Sequence, residues 1–301
     1  MNFLAIDVGG TEIKYAIISD QMELSNKGYV PTPQDTIEHF LDALESIYEP
    51  VKDKVLGIAM SLPGFIDTKL GKNNGGGALT YNIGVCIADK VKERLGCTVH
   101  LENDAKAAAM AELWKGSLQG VGNAAVFIIG TGVGGGIIVD GKLIRGHTFT
   151  AGEFSFINSD IHDESPNSML CNYCGTPSLI QYYKEFSQSH ENMDGRELFR
   201  RYYDGDVNAD KALDKFTRYI ALKIFDLGVI LNPEKVAIGG GISAQDILIE
   251  KIIEQLKALP INETMFNGAD NNPMIPEIVR CKFGNDANLI GAVYSYMVDL
   301  L

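Results

Sequence analysis

An α/β fold with mixed sheets, divided into two lobes, is what this 301-residue sequence predicts. Three observations predict it. Short apolar runs alternate with helical periodicities along the chain, the pattern of strands interleaved with helices. A strand–glycine turn–strand unit opens the chain and recurs once, from residue 124. The length also reaches the ~250–300 residues at which chains divide into more than one core.

The elements follow in order. Phe3 to Ile6 is an apolar strand, ending in Asp7-Val8-Gly9-Gly10-Thr11, and Ile13 to Ile18 is a second, followed by an Asp20-Gln21 turn and a third strand. No room for a helix lies between them. Ile37, Phe40, Leu41, Leu44 and Ile47 fall at helical spacing within 35–49. Val55 to Met60 is a strand running into a Ser61–Gly64 turn, and a glycine loop covers 75–77. A helix over 84–95, a strand over 98–101 and an Ala-rich helix over 105–114 come next. The opening pattern then repeats: strand 124–129, a Gly/Thr turn over 130–134, strand 137–139 and an Asp140-Gly141 hairpin signal. Residues 158–177 read as a long loop, about 178–203 and 208–231 as mostly helical segments, and 234–238 as a strand. A Gly239–Gly241 turn precedes a helix over 243–258, with Ser243 as its cap, and the chain closes in a helix over about 287–301.

Composition narrows the function classes. Hydrophobic residues at 46% and charged residues at 22% exclude a disordered or low-complexity chain. A net charge of −13 argues against nucleic acid or acidic membranes as general partners. No signal peptide opens the chain, no apolar run approaches the ~18 residues of a membrane span, and the five scattered cysteines fit reduced thiols. A cytoplasmic protein with no membrane partner is expected. The chain has 32 glycines, of which 13 stand in clusters at 9–10, 75–77, 130–136 and 239–241. A baseline near 7% predicts about 21, so the clusters account for the surplus.

Three of those clusters each follow a short strand: Gly9-Gly10-Thr11, Gly130-Thr131-Gly132-Val133-Gly134 and Gly239-Gly240-Gly241. Glycine there permits positive φ and close approach of a ligand, and successive amides with threonine hydroxyls form an anion cradle. A tight hairpin explains one such cluster; three point to a nucleotide. Gly130-x-Gly132-x-x-Gly135 matches the dinucleotide string, but it opens a β-branched run rather than a helix, and no P-loop occurs. Phosphate held by β-hairpin turns from two lobes looks like the actin–hexokinase–Hsp70 class.

Asp104 stands past the end of a strand and at the start of a helix, where ligands collect in α/β sheets. Asn103 or Asp104 would serve as the helix cap; with the phosphate turns present, Asp104 also suits a general base accepting the proton of an attacking hydroxyl. Asp7, a hard oxygen ligand beside the first turn, is the candidate for Mg²⁺, through water. Lys14 on the outgoing strand either reaches a phosphate or stands in solvent. Asn103 and Glu153 supply the amide and carboxylate that recognise vicinal hydroxyls.

In order, Asp7–Lys14, Glu102-Asn103-Asp104-Ala105, Ile129–Gly135, Ala151-Gly152-Glu153 and Ile238–Ile242 resemble the ROK family of sugar kinases and related repressors, over residues 3 to about 297. The resemblance implies a two-lobed actin/hexokinase/Hsp70-like ATPase (ribonuclease H-like) fold, ATP and Mg²⁺, and phosphorylation of a small-molecule sugar. It implies Asp104 as the catalytic base, Asn103 and Glu153 in the sugar site, and a homodimer. The lobes expected are 1–104, with the C-terminal helix packing back on it, and 105–286. The family's zinc pattern is broken: Phe156 stands at its histidine, the first cysteine of Cys171-x-x-Cys174 is displaced by one residue, and Leu179 and Gln181 replace its later Cys and Glu. His162 is the one remaining candidate ligand, and no zinc is expected. Gly76-Gly77-Ala78 with Gly152-Glu153-Phe154 resembles the zinc-free subgroup that includes β-glucoside kinases, with Gly75–Gly77 open to a second ring and Phe156 either packed in the core, the preferred reading, or lining that open side. The alternatives are glucokinase, N-acetylmannosamine kinase or a sugar-sensing regulator. The repressors carry a DNA-binding helix-turn-helix ahead of the first turn, where this chain has six residues.

Overall fold

A computed structural model describes residues 1–300 of the chain. The expected α/β class is what it adopts, in two units. The first holds Met1–Gln119, Leu143–Ala151 and the segment from Asn285; the second holds Gly120–Lys142 and Gly152–Gly284. The helix that opens at Asp104 and the segment 143–151 therefore both lie in the first unit.

In the first unit, β1 (Asn2–Val8), β2 (Glu12–Ser19) and β3 (Leu24–Pro31) form an antiparallel meander. Helix α1 (Ile37–Tyr48) follows, capped by Thr36, whose side chain accepts from His39 N; it buries Phe40, Leu41, Leu44 and Ile47, the periodic set of the sequence. Next come β4 (Ile58–Leu62), a small hairpin of β5 (Ile66–Asp67) and β6 (Lys72–Asn73), α2 (Ile87–Leu95), β7 (Val99–Asn103) and α3 (Asp104–Lys115). The sheet order is β3-β2-β1-β4-β7, with β1, β4 and β7 mutually parallel. Because β1 is central, both its faces are covered: Phe3, Leu4, Ala5, Ile6 and Val8 are all buried.

The second unit repeats the plan. Strands β8 (Ala124–Ile129), β9 (Val133–Val139) and β10 (Lys142–Ile144) lead through α4 (Cys171–Cys174), α5 (Thr176–Ser187), α6 (Gly195–Tyr203) and α7 (Val207–Ile230) to β11 (Lys235–Gly239). Helices α8 (Asp246–Lys257) and α9 (Pro260–Phe266) and strand β12 (Glu277–Arg280) complete it. The sheet order is β10-β9-β8-β11-β12, the same sequence of connections as the first. The chain ends in α10 (Ala287–Asp299), which packs against α3 and β1 in the first unit. Their crossing requires glycine: a Cβ at Gly291 would run into the Ala107 carbonyl. Residue 301, which the expected helix reached, lies outside the described residues.

Several expectations need correction. The mostly helical segment 178–203 holds two helices, because Gln188 turns left-handed at φ 54° and Asp194 caps a new start by accepting from Glu197 N at 2.9 Å. The loop over 158–177 contains the single-turn helix α4 and the start of α5. Ser243 is no cap for α8, which starts at Asp246 after a 3-10 turn; its hydroxyl donates to the Gly240 carbonyl at 2.8 Å. The Gly/Thr turn is shorter than expected: Gly134 lies within β9, paired with Ile128. Its neighbour Gly135 is where the strand needs glycine: a Cβ there would overlap the Val126 carbonyl and the Phe154 ring. Phe156 is 54% exposed, not core. Strand β12 and helix α9 carry no periodicity long enough to have been recognised.

Candidate active site

The parallel strands of the first unit bring three polar side chains to one level. Asp7, Ser61 and Glu102 are register partners across β1, β4 and β7, at the carboxyl ends where such sheets bind ligands. Asp7 is buried, and its Oδ1 accepts from Ser61 Oγ at 2.8 Å and from Asn288 Nδ2 at 3.0 Å. Burial still raises its carboxyl above the usual range; these two hydrogen bonds and the charge of Lys14, its register partner on β2, oppose the rise. Both donors sit on Oδ1, so Oδ2 is the oxygen left to face a cation.

The adjoining turn is held from behind. Gly9 N donates to Glu12 O at 2.9 Å, Thr32 Oγ1 donates to Gly9 O at 2.8 Å, and Gln34 Nε2 donates to Gly10 O at 2.7 Å. Thr32 N donates to Thr11 O at 2.9 Å. With three carbonyls of the turn tied, its peptide planes are fixed.

Asn103 and Asp104 form the joint between β7 and α3. Asn103 is the cap: its Oδ1 accepts from Lys106 N at 3.0 Å while its Nδ2 donates to Gly64 O at 3.0 Å. Asp104 is the first helical residue, half-buried, and its Oδ1 accepts from Ala105 N at 2.8 Å. Gly64 also packs beneath the glycine loop, where Gly75, Gly76 and Gly77 take φ of 153°, 73° and 79°. Asn73 Oδ1 accepts from Gly75 N at 3.0 Å and holds that loop. The first unit thus brings Asn103, Gly64 and Gly76 together, with one N–H and one lone pair of the Asn103 amide still available.

In the second unit three of the phosphate-turn candidates, Gly130, Thr131 and Gly241, line a cavity of about 420 Å³, whereas Gly132, Gly134, Gly239 and Gly240 do not. Gly130 N donates to Gly132 O at 2.9 Å, and Thr176 N donates to Gly130 O at 2.8 Å. Ser155 Oγ accepts from Val133 N at 2.9 Å, and a Cβ at Gly132 would press on that oxygen. Of the glycines in the three turns, only Gly240 takes positive φ, at 93°. The expectation that these glycines supply left-handed backbone is therefore corrected at every other position. Close packing explains Gly132 and Gly239, the latter against Ile128 and Cys281. It does not explain Gly130 and Gly241. A Cβ on either would meet no atom of the chain, and both line the cavity. Glycine there leaves the wall of the cavity without a side chain.

Glu153 follows Gly152, whose φ of 82° and contact with the Gly135 carbonyl set the turn, and precedes a 3-10 turn over Phe154–Phe156. Cys174 is buried, and burial pushes its thiol up, away from the thiolate a metal would bind; Cys171 is half-buried beside Gly132. His162 is exposed on a turn, and among the described residues no group of three or more His, Cys, Asp or Glu is arranged to hold a metal. No helix among the described residues is long and apolar enough to cross a membrane.

Sequence reasoning missed Thr176, Arg196, Phe199 and Gln245, which line the cavity with Thr131 and Gly241. The run Ser189–Gly195, rich in turn residues, was the available signal that a helix ends and another begins there.

Comparison with known proteins agrees with this architecture. The ROK family model matches residues 3–297. A β-glucoside kinase of Listeria monocytogenes is 27% identical over 99% of this chain and 98% of its own length. A glucokinase of Halalkalibacterium halodurans is 30% identical over 96% of this chain and 93% of its own. The crystal structure of a ROK family protein from Streptococcus pneumoniae in complex with sucrose superposes with a TM-score of 0.87 at 28% identity, covering 100% of this chain and 99% of that one. Two sheets of one connectivity, hairpin turns at the ends of their central strands and a match across nearly the whole length lead to one conclusion: this chain is a member of the ROK family.

Proposed function

We propose that this protein is an ATP-dependent sugar kinase that transfers the γ-phosphate to the 6-hydroxyl of a β-glucoside or disaccharide. The observation that carries this is the Asn103–Asp104 joint: a carboxylate at a strand's carboxyl end, next to an amide tied to the Gly64–Gly77 loop. Asp104 accepts the hydroxyl proton as the sugar oxygen bonds to the γ-phosphorus and ADP leaves. Asn103, Gly76, Gly77 and Glu153 hold the sugar. Gly9, Gly10, Thr11, Gly130, Thr131, Gly132 and Gly239–Gly241 take the nucleotide, with Lys14 near its phosphates. The open room at Gly130 and Gly241 supports that assignment.

A buried carboxylate with a free oxygen fits a divalent cation, and Asp7 would hold Mg²⁺ through water. When bound, the ion neutralises phosphate charge. Transfer itself depends on alignment, which the rigid turns supply.

The choice of a β-glucoside or disaccharide rests on the glycine loop, whose left-handed residues carry no side chains to close it, and on the names and contents of two relatives. Glucokinase activity is the second reading, favoured by the glucokinase relative. ADP release measured against glucose, N-acetylmannosamine, cellobiose and gentiobiose separates them. Turnover on the disaccharides is expected; turnover confined to monosaccharides would refute the first choice. A homodimer belongs to the same proposal, and sedimentation should give twice the chain mass.

A further inference from the structure

Two residues before the proposed base, Glu102 is fully buried. Its Oε2 accepts from Arg145 Nε at 2.9 Å, from Arg145 Nη2 at 2.7 Å and from Ser295 Oγ at 3.0 Å. Its Oε1 accepts from the backbone N–H of Asn103 at 3.0 Å. Arg145 Nη2 also donates to Ser295 Oγ at 3.0 Å, so carboxylate, guanidinium and hydroxyl form a closed triangle. His100, two residues back on β7, reaches the same hydroxyl at 2.9 Å, and burial keeps its imidazole below its usual pKa.

Stability does not account for this arrangement. Burying a carboxylate costs several kcal/mol, and well-packed apolar residues often replace a buried ion pair at no loss. What the pair does supply is an acceptor at one place. Strand β7 is the edge of its sheet, bonded to β4 alone, and it ends at Asn103. The Asn103 N–H goes to the Glu102 carboxylate rather than to a strand. Asn103 in turn caps α3, and Asp104 is the first residue of that helix. The direction in which Asp104 leaves the sheet is thus set by one peptide whose N–H is held by Glu102, and Glu102 is held by groups from 143–151 and from α10.

We infer that Glu102 is a positioning residue for the catalytic joint, clamped by Arg145 and Ser295. The inference rests on the role proposed for Asp104. A shift of about 1 Å in a reacting group costs on the order of 100-fold in rate without touching substrate binding to the same degree. Removing the clamp therefore acts on kcat.

The test is steady-state kinetics of Glu102→Leu and Glu102→Gln, with thermal melting of each. Glu102→Leu should lose about 30- to 100-fold in kcat while KM for sugar and ATP stays within about twofold. Glu102→Gln keeps an acceptor for the Asn103 N–H and should recover at least about a third of the lost decades. Wild-type kcat in a folded Glu102→Leu overturns the inference, as does a rise in KM that matches the fall in kcat. If Glu102→Leu does not fold, Glu102→Gln and Ser295→Ala carry the test: kcat reduced at unchanged KM supports the clamp, and unchanged kcat in both refutes it. Asp104→Asn, run beside them, keeps the two ideas apart. If it is inactive while Glu102→Leu is normal, only the clamp fails; if it is active, the role of Asp104 fails.

Discussion

The two five-stranded sheets share one strand order, yet their central hairpins are chemically unlike. In the first, the strand before the turn carries Asp7, and its parallel neighbour carries Ser61. In the second, the corresponding pair is Ile128 and Gly239. The turn Gly9–Thr11 is braced by the side chains of Thr32 and Gln34, whereas the turn Gly130–Gly132 is braced by the backbone of Thr176 and flanked by Ser155. One copy of the plan holds a buried carboxyl at the end of its central strand; the other offers amides, hydroxyl groups and space. A duplicated scaffold can therefore divide its labour. On the proposed function, a carboxylate in both turns would repel a triphosphate, while a cation beside one carboxylate would relieve that repulsion.

The largest effect expected on either side of this contrast belongs to Asp104→Asn, which should lower kcat by about 10²–10⁴ while sugar binding by calorimetry is retained. Near-normal turnover would remove Asp104 from its role.

Asp7→Asn comes next, with opposite effects on activity and stability. Turnover should fall on the order of 100-fold if Asp7 holds the cation. Stability should rise. Burial lifts the folded carboxyl above its unfolded value of about 3.9, so between those two values the folded chain holds the proton more tightly and stability falls as pH rises. Above the folded value the penalty is complete. The gain in Tm from Asp7→Asn should therefore grow as pH rises from about 3.9 and vanish below it. A melt series from pH 3 to 8 reads it, and a gain independent of pH would contradict the burial argument.

The neutral turn is probed by Gly130→Val. A Cβ there meets no atom of the chain, so Tm should hold, whereas KM for ATP should rise about tenfold if the added methyl groups enter the nucleotide's space. A loss of Tm with unchanged KM would make Gly130 structural after all. Ser61→Ala is the mildest. It removes one of two donors to a buried carboxylate and should cost about 1–3 kcal/mol in denaturant unfolding, with a few-fold loss of kcat. No change in either would show that water replaces the hydroxyl.

Much of the site was legible because its chemistry is contiguous. Asp7 with its turn, and Asn103 with Asp104, each stand within a few residues on a strand end, and strand ends can be recognised from apolar runs and turn residues. The same locality misled at Gly134, since a glycine-rich string looks like a turn even where the chain has already entered a paired strand. Ser243 misled for a related reason: a serine ahead of a helical period is a good cap, but here its hydroxyl is spent on the Gly240 carbonyl one turn too early.

The sequence alone determined the α/β class, the repeated hairpin and the identity of the acid at the strand end, because each depends on residues close in the chain. Tertiary structure alone decided which distant groups serve them. Asn288 reaches Asp7, Arg145 and Ser295 hydrogen-bond Glu102, and Arg196 and Gln245 line the second unit's cavity. These partners carry no periodicity and no local motif. Their roles arise from packing, which brings residues separated by tens to hundreds of positions within hydrogen-bond reach, and no local pattern in the chain encodes that distance.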